Sequence, residues 1–198
     1  MRRRAGLLLM IIGAVLMIGA LSLFAYNNWE DEQAGEASEQ ALAAVIEYIE
    51  EASESGDASS VADPYSSEMT AVEIDGAYYI GYIYIPAISI ELPVLEWYSE
   101  EGLKSVPARY TGSTRTGDLV LCGHSYKRHF RYIRTLSEGD DVYFTDMDGV
   151  VWHYQVAGVE VVQPTDIDSM IESGFDLTLF TCTADLSARY AVRCNLVE

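Results

Sequence analysis

Ala5 to Tyr26 is an almost unbroken apolar run, interrupted only by Ser22. As a helix rising about 1.5 Å per residue it would be about 33 Å long, enough to cross a hydrocarbon core of about 30 Å. Arg2, Arg3 and Arg4 precede it and acidic residues come after it. The positive-inside rule then predicts a cytoplasmic N-terminus, with the chain beyond Asn27 outside. Small residues around Ala20-Leu21-Ser22 leave a cleavable signal peptide as the alternative, but the run is longer than an ordinary signal h-region. Residues 1–26 are therefore read as a basic tip and single-pass anchor.

Charge divides the rest of the chain. After Arg4 no Lys or Arg occurs until Lys104, and most of the 31 acidic residues behind the net charge of −19 fall in that gap. From Lys104 onward, 13 acidic residues face 9 basic ones. A nucleic-acid binder would need a basic stripe to neutralise phosphates, so that class is excluded. The acidic stretch reads as a solvated, self-repelling spacer. Asn27 to Ala37 is expected to be a flexible exit segment. Ser38 to Ser53 reads as a helix capped by Ser38, with Leu42, Val45, Ile46 and Ile49 at helical spacing, either a stalk or a helix packed on the domain. Ser53 to Asp63 is rich in Ser, Gly and Asp and reads as a linker. Residues 27–75 are thus expected to form an acidic stalk and linker, and residues 76–198 the folded domain.

Within that domain the pattern is mainly β. Tyr78–Ile85, Ile88–Leu95, Asp118–Cys122, Asp141–Phe144, Val150–Val162, Leu177–Cys182 and Tyr190–Val197 are rich in β-branched and aromatic residues and bounded by Gly, Pro or Asp. Met147-Asp148-Gly149 reads as a hairpin turn. Short helices are expected near His129–Leu136 and Asp166–Ile171. Many strands with only short helices predict a closed or nearly closed antiparallel barrel.

Chemistry concentrates at three positions. His124 follows a strand through Gly123, which lets the chain turn and leaves an imidazole at a strand end. Cys182 ends the run Thr178-Leu179-Phe180-Thr181-Cys182, and Arg189 stands seven residues on, just before the next strand. A returning strand would bring Cys182 and Arg189 to one end of a sheet. A thiol can attack a carbonyl, an imidazole can move protons, and a guanidinium can stabilise the oxygen or hold a peptide backbone. Arg193 shares a strand face with Arg189 by even spacing and ranks second only by its distance from the strand end. Three cysteines cannot all pair within one chain. Cys122 and Cys194 read as core thiols, with a bridge between them as the alternative. His129 and His153 read as structural. No C-x-x-C pair or other ligand pattern specifies a metal, and no cofactor is implied.

These residues carry a resemblance. Thr178-Leu179-Phe180-Thr181-Cys182 is similar to the T-L-x-T-C signature of sortases, and Ala188-Arg189-Tyr190-Ala191-Val192 resembles the segment bearing the sortase arginine. Ile80-Gly81-Tyr82-Ile83-Tyr84-Ile85-Pro86 and Ile90-Glu91-Leu92-Pro93-Val94 resemble strands that open the sortase barrel, and Gly123-His124 matches the family's glycine-histidine. The resemblance spans Ile80 to Val197 and implies an eight-stranded sortase-type β-barrel with short helices. It implies a cysteine transpeptidase in which Cys182 attacks an LPxTG-like C-terminal sorting signal of secreted proteins. His124 would protonate the departing amine and Arg189 would stabilise the oxyanion, with Thr181 and Ser125 at the bound peptide. The acceptor would be an amine of cell-wall precursor or a pilin lysine. The core is compact like classes C and D, whereas Ala188-Arg189-Tyr190 is similar to class B. Asp63-Pro64-Tyr65 is reminiscent of the lid of pilus-assembling members, though Pro after Asp in a linker also simply starts a turn.

With reference values near 8.5 for Cys and 6.5 for His, thiolate and imidazolium coexist in only about 1% of molecules at pH 7. Lys127, Arg128, Arg131 and Arg134 either bias the thiol toward its anion or, more simply, form a solvated helix face. Two other functions fit the same residues. One is a different exported Cys/His cell-wall acyl-transferase or peptidase; the other is a non-catalytic, membrane-tethered binding barrel.

Overall fold

A computed structural model describes residues 2–55 and 67–197. Asp63-Pro64-Tyr65 and most of the expected linker lie outside the described residues.

The N-terminal part of the chain is a single helix, α1 (Arg2–Ser55, 54 residues). One N-terminal stretch of it is long and apolar enough to cross a membrane, and the described apolar side chains from Leu9 to Phe24 are exposed. The expected flexible exit at Asn27–Ala37 is instead helical, and Ser38 lies buried in mid-helix rather than capping a new one. That stretch is built of Glu, Gln, Ala and similar residues and holds no proline, so nothing breaks the helix. Beyond Trp29 one face turns inward: Asp31, Ala34, Ser38 and Val45 are buried, and Ala41 and Ile49 pack with them. Their spacing of three or four residues is that of a single helical stripe. Of the two roles expected for Ser38–Ser53, the helix takes that of packing on the domain, against the second and third strands.

The remaining described residues form nine strands: β1 (Val72–Ile74), β2 (Ala77–Ile85), β3 (Ile90–Leu95), β4 (Ala108–Thr111), β5 (Leu119–Cys122), β6 (Asp141–Asp146), β7 (Val151–Val162), β8 (Leu177–Cys182) and β9 (Arg189–Leu196). Their order is β1-β2-β3-β4-β5-β8-β9-β7-β6, and β6 pairs back onto β2. Eight strands thus close a barrel, with β1 as an appended edge. Closure is not wholly antiparallel as expected: β3 pairs with β4 and β5 with β8 in parallel. The second parallel pair arises because the β6–β7 hairpin intervenes in sequence and packs elsewhere in the circle, so β8 returns beside β5 in the same direction. The short helices fall near the expected places, as a 3-10 helix at Phe130–Thr135 and as α2 (Asp168–Ile171).

Alternate residues of the strands point inward. Ile83, Ile85, Leu92, Leu119, Leu121, Phe144, Leu177, Leu179 and Val192 fill the barrel, with Phe130 and Ile133 closing one end. Cys122 and Cys194 are free buried thiols in separate parts of the core. Gly81 sits where β2 bulges against β3 and meets β6, with φ +141. A Cβ there would lie 2.0 Å from the Thr145 carbonyl oxygen, which is backbone and cannot step aside. Gly81→Ala should therefore loosen barrel closure and destabilise the fold by about 3 kcal/mol, combining backbone strain with overpacking. Denaturant unfolding of the detergent-solubilised chain checks this; an unchanged midpoint would mean that the seam tolerates a methyl group.

Candidate active site

Pairing register assembles the site. The parallel β5–β8 pair sets Cys122 opposite Phe180. Beyond it the Gly123 N–H donates to the Phe180 carbonyl (3.2 Å), and the Thr181 hydroxyl donates to the Gly123 carbonyl (2.7 Å). Two residues past the register pair on each strand stand His124 and Cys182. On the other side of β8, the antiparallel register sets Cys182 directly opposite Arg189. Facing residues in such a pair have Cα atoms about 4.5–5.5 Å apart with side chains on one face.

The β8–β9 loop holds this register. The Thr183 N–H donates to the Ala188 carbonyl (3.0 Å), and the Ala188 N–H donates to the Thr183 hydroxyl oxygen (3.0 Å). Asp185 accepts from the Thr183 and Ser187 hydroxyls at 2.7 and 2.8 Å, and these bonds hold its carboxyl down to about 2. Leu186 takes a left-handed conformation (φ 60) at the tip. Sequence reasoning did not foresee this internal brace.

His124, Cys182 and Arg189 line one groove of about 380 Å³. Leu103, Ile167, Met170 and Phe180 give it apolar walls, while Tyr98, Glu100, Tyr110 and Gln163 add polar ones. Tyr110 stands edge-on to Phe180 with ring centroids 5.3 Å apart, and Tyr98 edge-on to Tyr110 at 6.2 Å. None of these wall residues was singled out from the sequence. Tyr98 and Tyr110 are exposed aromatics, a property of the fold that no local pattern in the sequence announces. Cys182 is partly exposed to the groove. Thr181 also lines it, buried, with its hydroxyl committed to Gly123. Ser125 is not among the wall residues; its carbonyl accepts from Arg131 Nε (3.0 Å).

The two arginines on the β9 face differ sharply. Arg189 is half-buried, and its guanidinium donates only to the adjacent Ala188 carbonyl at 3.2 Å among the bonds described. Arg193 is buried and meets Glu160 (2.5 Å), the Thr178 hydroxyl (3.0 Å) and the Ser169 carbonyl (2.6 Å). It ties α2 to β7 and β8 of the barrel. Among the described residues, no group of three or more His, Cys, Asp or Glu could hold a metal ion.

Burial pushes His124 below its usual imidazole value, and Lys104 adds to this; Glu30 and Glu100 act against it. Glu30 belongs to α1, so the acidic helix reaches the site. The Tyr126 hydroxyl donates to Glu30 (3.1 Å), and Lys127 meets Asn28 (2.6 Å) and Asp31 (3.6 Å). Arg128 meets Glu32 (3.6 Å) and Glu39. The solvated spacer expected for this acidic stretch is therefore, at these positions, a counter-charged docking face. Lys127 and Arg128 stay partly exposed, as a solvated face would, but are paired with the acids of this helix.

His129 and His153 are structural, as read. His153 pairs with Asp141 at 2.8 Å. His129 is fully buried beneath α1, and neither ring nitrogen completes a hydrogen bond of ordinary geometry, although Ala34 and Ser105 backbone groups lie near. Burial is the main cause that holds its imidazole down at about 4.

Known proteins resemble this chain throughout. The sortase domain family matches residues 83–197. Sortase A of Bacillus anthracis is 31% identical over 199 residues, covering 96% of this chain and 92% of that protein. Sortase C1 of Streptococcus agalactiae superposes with a TM-score of 0.56 at 31% identity, over 64% of this chain and 71% of that one. A sortase D5 transpeptidase of Clostridium perfringens shares the fold, with a TM-score of 0.62 at 19% identity over 82% of this chain and 99% of that one.

The His129 environment predicts a pH effect. A group whose folded pKa lies below its unfolded value binds more protons when unfolded, so stability falls as pH drops from about 6.5 toward 4. Over that window His129 should withdraw about 3 kcal/mol, at about 1.4 kcal/mol per pKa unit. Urea titrations at pH 7 and pH 4 should show a flatter dependence for His129→Leu than for the unsubstituted chain. Parallel slopes would mean that the folded state protonates this ring without penalty.

Proposed function

As the chain belongs to the sortase family, whose members are cysteine transpeptidases, we propose that Cys182 is its nucleophile, His124 its proton-transfer group and Arg189 its oxyanion or backbone cation. The observation that carries this reading is the convergence of the three on one groove through the β5–β8 and β8–β9 registers.

The Cys182 thiolate attacks the carbonyl carbon of the scissile peptide bond in an LPxTG-like sorting signal. A carbon–sulfur bond forms, and negative charge on the carbonyl oxygen is met by Arg189, whose guanidinium is free of a carboxylate partner among the described contacts. The C–N bond breaks as His124 gives its proton to the leaving amine. An amine from cell-wall precursor or a pilin then attacks the thioester, returns a proton to His124 and releases the thiolate with a new amide bond. Thr181 meets the peptide by its place in the groove wall while its hydroxyl holds Gly123; Ser125 serves the loop behind. In this reading the N-terminus is cytoplasmic and the barrel lies outside, at the surface that secreted proteins cross. Relatives of classes A, C and D all resemble the chain, so a subclass is not assigned.

Arg193 is read as structural because it is buried and each of its three guanidinium nitrogens already meets a protein partner. With a sorting pentapeptide and hydroxylamine as acceptor, Cys182→Ala should abolish transfer. His124→Ala should lower it by about 10²–10⁴-fold and Arg189→Ala by about 10²–10³-fold. Arg193→Ala should act mainly on the melting temperature. Greater loss of transfer from Arg193→Ala than from Arg189→Ala would reverse the assignment of the arginines, and transfer by Cys182→Ala would end the reading. The pH profile of Cys182 alkylation tests the ion pair separately: one ionisation near 8.5, unmoved by His124→Ala, would exclude it.

A further inference from the structure

We propose that Glu30 and Tyr126 are a positioning pair for His124, making the first turn of α1 beyond the apolar run part of the working site. The inference rests on the reading of His124 as the proton-transfer group and adds to it a part of the chain far away in sequence.

The geometry is a bracket. On one side of His124, Gly123 is fixed to β8 by the Phe180 carbonyl and the Thr181 hydroxyl. On the other side, Tyr126 through His129 all meet α1. The Tyr126 hydroxyl donates to Glu30 at 3.1 Å, and the Lys127 N–H donates to Asp31 at 3.4 Å. Arg128 lies against Gly35, where an added Cβ would come within 2.4 Å of its side chain. His129 is buried near the Ala34 backbone. The Tyr126 ring stands between the two imidazoles, 5.1 Å from His124 and 5.5 Å from His129. A ring tethered at its hydroxyl gives the neighbouring imidazole a fixed wall, whereas an untethered one can swing. The charged and titratable groups around His124 are Glu30 from α1, Glu100 and Lys104 from the β3–β4 connection, His129 through Tyr126, and, across the groove, Tyr98, Cys182 and Arg189. Burial alone would disfavour the imidazolium, so Glu30 both tethers the wall and opposes that effect.

The test uses the full chain in lipid nanodiscs, with a sorting pentapeptide and hydroxylamine. Glu30→Asp keeps the charge but withdraws the carboxylate by one methylene; Tyr126→Phe keeps the ring and deletes the hydroxyl. Each should lower kcat by about tenfold and leave KM within about twofold, because a small misplacement of a reacting group acts on the chemical step. The double variant should be no worse than either single, since both break one link. Wild-type kcat in both singles, or losses that multiply in the double variant, would overturn the proposal. Titration of ¹³C-labelled histidine by NMR gives a readout independent of turnover. Tyr126→Phe should move the His124 midpoint although it changes no carboxylate, and Glu30→Gln should lower it. If the unsubstituted chain transfers no peptide yet both midpoints move, the positioning pair stands and the transpeptidase reading falls. If Tyr126→Phe leaves the midpoint in place, the positioning pair falls whatever the activity.

Discussion

The parallel pairing of β5 with β8 is the constraint on which the rest of the site depends. Without it His124 and Cys182, 58 positions apart, have no reason to meet. The pairing is extended one residue past the end of β5 by two bonds to Gly123, one from its N–H and one to its carbonyl. Gly123 is suited to this position because the Phe130 ring lies against it. An added Cβ would come 2.8 Å from that ring. One close contact therefore binds the histidine loop to the core helix at Phe130–Thr135 and to β8 together. The antiparallel β8–β9 register then adds Arg189 with no further device than a braced six-residue loop. Three chemical groups thus converge through backbone hydrogen bonding, and the side chains need only point to the same face.

The electrostatics of the groove set two effects in opposition. Apolar walls and partial burial favour neutral imidazole, while a thiol that is to act as an anion gains most from an imidazolium beside it. The acids at Glu30 and Glu100 oppose burial without touching the imidazole through a direct ion pair. Their placement matters for that reason. A carboxylate bonded directly to His124 would occupy one ring nitrogen, whereas acids at longer range shift the balance toward the imidazolium without occupying either. Glu30 is itself bonded to Tyr126, and the Tyr126 hydroxyl is raised to about 12, chiefly through burial and then through the carboxylate. That hydroxyl stays a donor throughout the working range of pH.

Much of the barrel was legible because period-2 patterning and turn residues are local properties. Seven of the nine strands, the β6–β7 turn and the two expected short helices fall close to where Val, Ile, Tyr, Gly and Asp placed them, whereas β1 and β4, three and four residues long, were not read from the sequence. The parallel pairs were not legible, since pairing direction is a property of the circuit rather than of any one strand. The helix was misjudged at Asn27–Ala37 because acidic residues without apolar periodicity look like a spacer. Their partners, Tyr126, Lys127 and Arg128, lie about a hundred positions away. The signal lay in complementarity: an acidic helix face, in a chain whose few cations cluster after His124, calls for a counter-charge. Small residues at Ala34, Gly35, Ser38 and Ala41 marked the same face by allowing close approach.

Arg189 and Arg193 mark the limit of such reading. They share a strand and a face, so sequence periodicity assigns them the same surroundings, and only distance from the strand end separated them. What differs is the cover. Over Arg193 lie Ser169 of α2 and Glu160 of β7, so with Thr178 all three of its nitrogens are engaged and the guanidinium becomes a fixed cross-brace. Arg189 opens on the groove and donates only to its neighbour's carbonyl among the bonds described. Arg193 has all three of its nitrogens engaged within the fold, whereas in the proposed reading Arg189 keeps most of its five N–H donors for a developing negative charge. A four-residue helix thus engages one of two chemically identical side chains, while the other is left on the groove, where the proposed reading has it meet the substrate.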